Sequence, residues 1–516
     1  MMHRTRLAIA VLAAVGLVAA GCGSSSKTKT TGSTVLRIPY LADMSVPDPD
    51  VFYDIEGNSV ILSAYDGLLK YAPGSTKIVG ALATSWTVSP DRLTYTFKLR
   101  PKVVFHSGAP LTAKAVKASF QRRLDVGAAP SYMLEPIKTM STPDKLTFVV
   151  KLKHPVNPFL AYMASSWGPK IIGPGAIITH AGKDHGQTYL RTHDDGTGAF
   201  RITGFERGRQ YTLTRSATYW GAKPYFSEVL LKITPDISTQ RLEVQNGDLD
   251  AVLHSFPASE LSSLPDKVRV DKQNSLLRLL LYVNVNKAPF NNAAARAGLP
   301  ATIDVEQLVS QAYSDTATKS AGAFPPGLLP GDPPLPYKAN ATVAKSAASK
   351  APTKSITLGF SADESGVQRR VGELVQARLQ DAGYKVTLKE VQLPQIYGYI
   401  KNLSKAPDLL LMTNTPDAAD PDTWARILFY STGGLNFLGY KDKAVDSDLD
   451  EALSASRAKA TSLYQDVAKK VIASNAIFFL GDVKNVFVLG KDLSNVENVP
   501  AYPWTIDFRT VKRSGG

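Results

Sequence analysis

The sequence predicts a mixed α/β protein in which two sheet-centred lobes face each other across a cleft. Two patterns point to this: short strands of period two separated by turns in the first half, and strands alternating with helices in the second. Composition agrees. A chain of 516 residues is long enough for several domains of about 100–200 residues each. With 44% apolar and 20% charged residues it is globular rather than disordered. Its 33 prolines and 37 glycines imply many loops and short strands. A cleft between two domains buries most of the surface of a small ligand.

The first segment stands outside that fold. Arg4 and Arg6 precede an apolar or small run from Leu7 to Ala20, and Ala19-Ala20-Gly21 lead to Cys22. This is the layout of a secretory signal over residues 1–21. The run is shorter than the roughly 20 residues a bilayer span needs. Cys22 is the chain's only cysteine, so no internal disulfide is expected. Its place at the end of the signal resembles a bacterial lipobox, with Ala19 where leucine is usual. That implies a lipid on the Cys22 thiol and cleavage before it. Residues 22–34, rich in Gly, Ser, Thr and Lys, read as a flexible leash.

The net charge is +14, and +12 once Arg4 and Arg6 leave with the signal. The basic residues are scattered rather than clustered with aromatics, which argues against a nucleic-acid face and fits attraction to an anionic envelope.

Further along, Leu93, Tyr95, Phe97 and Leu99 alternate with polar residues, as in a half-buried strand. Leu146, Phe148, Val150 and Leu152 repeat the pattern; Tyr211-Leu213 and Val229-Leu231-Ile233 give two more strands. Thr112 caps a helix bearing Val116, Phe120 and Leu124, and Asp304 with Gln307 forms a capping box for another. Ser355–Phe360, a helical stripe of Val367, Val371, Leu374, Val375 and Leu379 stopped by Gly383, and Lys385–Val391 make a βαβ unit. Asp408–Met412, a helix with Leu463, Val467 and Val471, and Ile477–Leu480 complete a half expected to hold a parallel sheet. Residues 321–336, with six prolines, are expected to be irregular. So are residues 340–352, rich in Ala, Ser, Lys and Thr.

Eight sequence blocks then carry a resemblance. Tyr65-Asp66-Gly67-Leu68, Leu82-Ala83-Thr84-Ser85-Trp86, Thr94–Arg100, Val104-Phe105-His106-Ser107-Gly108, Leu111–Val116, Gly196-Thr197-Gly198-Ala199-Phe200, Tyr219-Trp220-Gly221 and Gln245–Asp250 occur in this order. With Asp420-Pro421-Asp422 further on, they resemble the family 5 solute-binding proteins of ABC transporters, which bind oligopeptides, dipeptides or nickel. The likeness covers about residues 35–510. Ser107 replaces an Asp and Ala199 a Pro of the family pattern.

The resemblance implies a two-lobed periplasmic-binding-protein-like fold with a third subdomain inserted in the first lobe. Lobe I would be residues 35–275, including an insert of about 66–195, with the chain returning at 485–516; lobe II would be 276–484. It implies a monomer that needs no cofactor. Capturing an oligopeptide-like solute, it would hand the cargo to ABC permease subunits while held at the membrane by the Cys22 lipid. Asp417 matches the aspartate that takes the ligand's α-amino group in peptide-binding relatives, and an ammonium removed from water needs such a partner. Tyr40, Trp167, Tyr282, Asn284, Tyr397 and Trp424 are candidate cleft walls. Trp86, Tyr95, Phe97 and Trp220 are expected in the core, and the glycines of Gly196-Thr197-Gly198 to supply unusual turn angles. His180, His185 and His193 read as a solvated loop rather than a metal site.

A lipid-anchored hydrolase is the rival class, and sugars, opines and nickel chelates are rival solutes. The chain has no G-x-S-x-G, no H-E-x-x-H and no S-x-x-K with its companion motifs, so a binding protein rather than an enzyme is expected.

Overall fold

The computed structural model describes residues 34–254, 256–363 and 366–514. The signal, Cys22 and most of the leash lie outside the described residues. Within them the fold is a mixed α/β arrangement built on four main sheets.

The first lobe is built on a sheet with Val35–Tyr40 parallel to Glu228–Ile233, followed by Gln210–Arg215 and Phe200–Glu206, both antiparallel. Between its first and later strands the chain makes the insert, an antiparallel sheet ordered Ala83–Val88, Thr94–Leu99, Thr147–Leu152, Ile137–Asp144. The helix Ala113–Val126 packs on it, started by the Thr112 side chain accepting from the Ala115 amide and ended by Gly127 at φ +61°. The alternation read from sequence places Tyr95, Phe97 and Leu99 inward with Phe148, Val150 and Leu152. Trp86 and Trp220 are only partly buried.

The second lobe rests on a six-stranded sheet in the order Ala317–Lys319, Ile477–Val483, Arg278–Val283, Leu409–Asn414, Ser355–Ser361, Lys385–Val391. Only the last three are mutually parallel; the others are antiparallel, so the expected parallel sheet is a mixed one. Arg278–Val283 is buried on both faces. Leu279, Leu281 and Val283 join one core cluster with the helices Val305–Tyr313 and Val367–Asp381, while Leu280 and Tyr282 join the cluster containing the helix Arg457–Ser474. Helices on both faces are why these strands read as unbroken apolar runs.

Two chain passages connect the lobes, one entering Arg278–Val283 and one leaving Ile477–Val483 for Asn485–Gly490, and they are bonded together. The Val483 amide donates to the Leu277 carbonyl at 2.9 Å, and the Ser275 hydroxyl to the Val483 carbonyl at 2.5 Å. Asn485–Gly490 then pairs with Ala251–Val252 and Val268–Gln273.

Three local expectations are corrected. Residues 341–349 form a helix, not an irregular run: Asn340 caps it through the Val343 amide, and Ala344 and Ala348 are buried. A good cap and strong alanine propensity suffice. Asp304 does cap Val305–Tyr313, but the Gln307 side chain accepts from Arg378 at 2.6 Å instead of closing the capping box. Gly196 and Gly198 do not have left-handed backbones; a Cβ on either would lie 1.9 Å or 2.2 Å from the carbonyl oxygens of Ala64 and Ser63. They are glycine because two backbones touch. His180, His185 and His193 are exposed, as expected of a solvated loop, and within it the His180 and His193 rings stack on Tyr189 at 4.1 and 4.4 Å.

Candidate functional site

Between the lobes lies a cleft of about 390 Å³. The first lobe contributes Asp54, Glu56, His254 and Trp504; the second contributes Tyr313, Gln368, Leu393 and Thr413. His254 hydrogen-bonds the Glu56 carboxylate through a ring nitrogen and stacks on Trp504 at 3.8 Å. Trp504 holds a left-handed backbone at φ +50°, an uncommon conformation for a bulky residue.

Asp417 follows the strand Leu409–Asn414, in the loop before the helix Pro421–Phe429. Its side chain is turned toward the first lobe, where two hydroxyls meet one carboxylate oxygen: Tyr53 donates at 2.5 Å and Tyr132 at 2.6 Å. The Asp417 carbonyl accepts from the Ser165 hydroxyl at 2.5 Å, and the neighbouring Ala419 amide donates to the Tyr71 hydroxyl at 2.8 Å. The loop is therefore pinned on both sides. Among the described residues, no Lys, Arg or His pairs with the carboxylate. Burial pushes its carboxyl above the ordinary carboxylate range, and the two tyrosines partly oppose this. A buried acid held only by neutral donors is arranged to receive a cation.

The other sequence candidates separate sharply. Tyr397 stands beside this site: burial and then the Asp417 and Asp54 carboxylates raise its hydroxyl, while its ring packs edge-on to Phe437 at 5.4 Å. Trp167 is one layer behind, donating its indole N–H to the Asp54 carbonyl at 2.8 Å and meeting Tyr53 edge-on at 5.8 Å. The remaining four belong to the packing instead of the cleft wall. Trp424 is fully buried, with its N–H on the Ala323 carbonyl. Asn284 is fully buried and bonded to the Pro407 carbonyl. Tyr282 accepts from Asn414 and packs on Phe437. Tyr40 packs edge-on to Tyr211 inside the first lobe. Both faces of the strand holding Tyr282 are covered, so periodicity alone could not show which face meets a cleft.

Tyr53 and Tyr132 were missed from sequence. Tyr53 follows the turn-rich Pro47-Asp48-Pro49-Asp50, which marks a loop but not which of its residues reach a site. Tyr132 carries no local signal.

The blocks that carry the family resemblance meet elsewhere. The Asp66 carboxylate accepts from Thr197 at 2.9 Å, Trp220 at 3.0 Å and Arg509 at 3.0 Å. Three sequence blocks thus converge on one carboxylate, and their role is scaffold.

The family model of the bacterial extracellular solute-binding proteins, family 5, middle, matches residues 77–436. The chain is 28% identical to a probable D,D-dipeptide-binding periplasmic protein of Escherichia coli, over 93% of this chain and 94% of that one. It is 26% identical to the glutathione-binding protein of Pectobacterium atrosepticum, over 88% and 89% of the two chains. In fold it is similar to the periplasmic binding protein DppA of Helicobacter pylori in complex with a peptide, with a TM-score of 0.80, 24% identity and coverage of 93% and 98%. It is likewise similar to NikA of Brucella suis with Fe(III)-EDTA, with a TM-score of 0.82, 20% identity and coverage of 93% and 100%. The fold is the two-lobed periplasmic-binding-protein architecture. Among the described residues no helix is long and apolar enough to cross a membrane. This chain belongs to the bacterial extracellular solute-binding proteins, family 5: it is an extracytoplasmic binding component of an ABC importer and not an enzyme.

Proposed function

We propose that the protein captures oligopeptides by their free amino terminus at Asp417, closes its lobes around them and delivers them to a membrane permease. One observation carries this reading: a buried carboxylate from one lobe is held by two neutral hydroxyls of the other and lacks a cation of its own. A peptide ammonium supplies the charge, and because the carboxylate comes from one lobe and its hydroxyl donors from the other, occupancy stabilises the closed state. The lobes are taken as 35–275 with 485–516, and 276–484, turning on the paired passages. The relatives' names, which include dipeptide and glutathione binders, support the peptide class. The Cys22 thiol carries the lipid that keeps the protein at the membrane surface.

The test is calorimetric titration with a short peptide and its N-acetylated twin. Free peptide is expected to bind and the acetylated form to lose about 2–5 kcal/mol, because the buried acid is then left without a cation. Equal affinity for the two rejects the role of Asp417. Native mass spectrometry of protein purified from its source would identify the retained solute. A Cys22→Ser protein released to the medium would support the anchor.

A further inference from the structure

Eight large apolar side chains among the described residues stay substantially exposed, and three of them, Leu393, Tyr397 and Tyr53, lie around the cleft and the Asp417 carboxylate. Leu393, Tyr397 and Ile400, at the helix Leu393–Tyr399 and its end, are spaced i, i+4, i+7 on one face, while Ile396 and Tyr399 are buried on the other. Tyr53 belongs to the opposite lobe. These four are 39% to 47% exposed. Leu393 lines the cleft together with Asp54, and both Tyr397 and Tyr53 lie within electrostatic reach of Asp417.

An apolar stripe left open next to a buried carboxylate is a two-part recognition surface. The carboxylate takes a cation, and the stripe takes an apolar group held a short distance from it. Exposed apolar surface rimmed by polar groups marks a binding site rather than chance. The first-lobe Tyr53 uses its hydroxyl on Asp417, and its ring meets Trp167 edge-on at 5.8 Å.

We infer that the cargo is a peptide whose first side chain is large and apolar, seated between Tyr53 and the Leu393–Tyr397 face while its ammonium meets Asp417. This rests on the reading of Asp417 given above and adds the side-chain class. The polar cleft lining farther in, around Gln368, Thr413 and His254, would face the rest of the peptide.

The experiment titrates the purified full-length mature protein with Leu-Ala-Ala, Ala-Ala-Ala and N-acetyl-Leu-Ala-Ala, then repeats the first two with Leu393→Ser and with Tyr397→Ser. In the parent protein Leu-Ala-Ala should bind at least about tenfold more tightly than Ala-Ala-Ala, the discrimination expected of an apolar pocket. That ratio should fall toward one in both variants. Equal binding of the two free peptides by the parent protein, with the acetylated one rejected, overturns the apolar subsite and leaves the ammonium site standing. Acetylated and free Leu-Ala-Ala binding alike overturns the ammonium site, and the inference with it. If both variants weaken the two free peptides by the same factor, so that the ratio persists, the stripe serves lobe closure and the inference fails. Binding of none of the three peptides overturns both readings.

Discussion

Two buried carboxylates, Asp66 in the first lobe and Asp417 in the second, have opposite kinds of neighbour. Asp66 is 4% exposed and bonded to a threonine, a tryptophan and the guanidinium of Arg509. Asp417 is 7% exposed and bonded to two tyrosine hydroxyls. The first has its cation inside the protein and is closed to outsiders. Its charge is spent on joining segments more than 400 residues apart in sequence, as the Arg509 bond shows. The second is solvated only by neutral groups, so it retains a demand for positive charge. Burial alone does not separate scaffold from site; the charge of the partners does.

The largest effect expected from this contrast is on folding. Asp66→Ala should cost about 3–5 kcal/mol of stability in urea denaturation, since it strands three donors and removes one of the two carboxylates on Arg509. A loss below about 1 kcal/mol would mean the node is decorative. Asp417→Asn should do the reverse: unfolding nearly unchanged, and affinity for a peptide with a free amino terminus lower by about 2–5 kcal/mol. A variant equally damaged in both respects would erase the distinction between the two acids.

Smaller effects sharpen the picture. Tyr132→Phe removes one of two donors to a charged oxygen and should weaken binding by about 1–2 kcal/mol. It should also move the acid limb of binding. The ammonium is held by ionised Asp417, so affinity is present above the raised pKa of that carboxyl and is lost as pH falls through it. Losing a tyrosine donor raises the value further, and the limb should shift to higher pH in a series of titrations. Stability responds with the opposite sign: the empty fold prefers this carboxyl protonated, so its contribution declines as pH rises from about 3.8 toward the folded value.

The mildest test uses the mirror image of Asp417. Lys170 is a buried ammonium whose hydrogen bonds go to the carbonyls of Ser165 at 2.6 Å and Gly168 at 3.4 Å. Burial and then Arg123 lower it from 10.5 to about 7. A lysine depressed on folding is protonated more readily in the unfolded chain. Stability of the parent protein should therefore climb between about pH 7 and 10.5, and Lys170→Met should flatten that slope in thermal unfolding scans. Because the same lysine braces the Ser165 loop that holds the Asp417 carbonyl, peptide affinity of the variant should fall modestly.

Much of the fold could be read from local signals. Period two located Thr94–Leu99 and Thr147–Leu152, and the caps at Thr112 and Asp304 marked helix starts where they occur. Asp417 was reachable through its block resemblance. Its donors were not, because Tyr53 and Tyr132 lie 364 and 285 residues away and neither stands in a pattern that names a partner. The glycine pair 196 and 198 was recognised as special for the wrong reason, since a backbone contact with residues 63 and 64 leaves no trace in local composition.

The sequence by itself determined much of the lobes' secondary structure and the blocks that identify the family, and it singled out Asp417 as a candidate. These depend on neighbours a few residues apart, where periodicity, caps and turn chemistry act. Only the tertiary structure decided which aromatics face the cleft, how the six strands run relative to one another, and that Asp66 has a resident cation while Asp417 has none. Each of these is set by groups brought together from distant parts of the chain, and the free energy of a buried charge depends on those partners rather than on its place in the sequence.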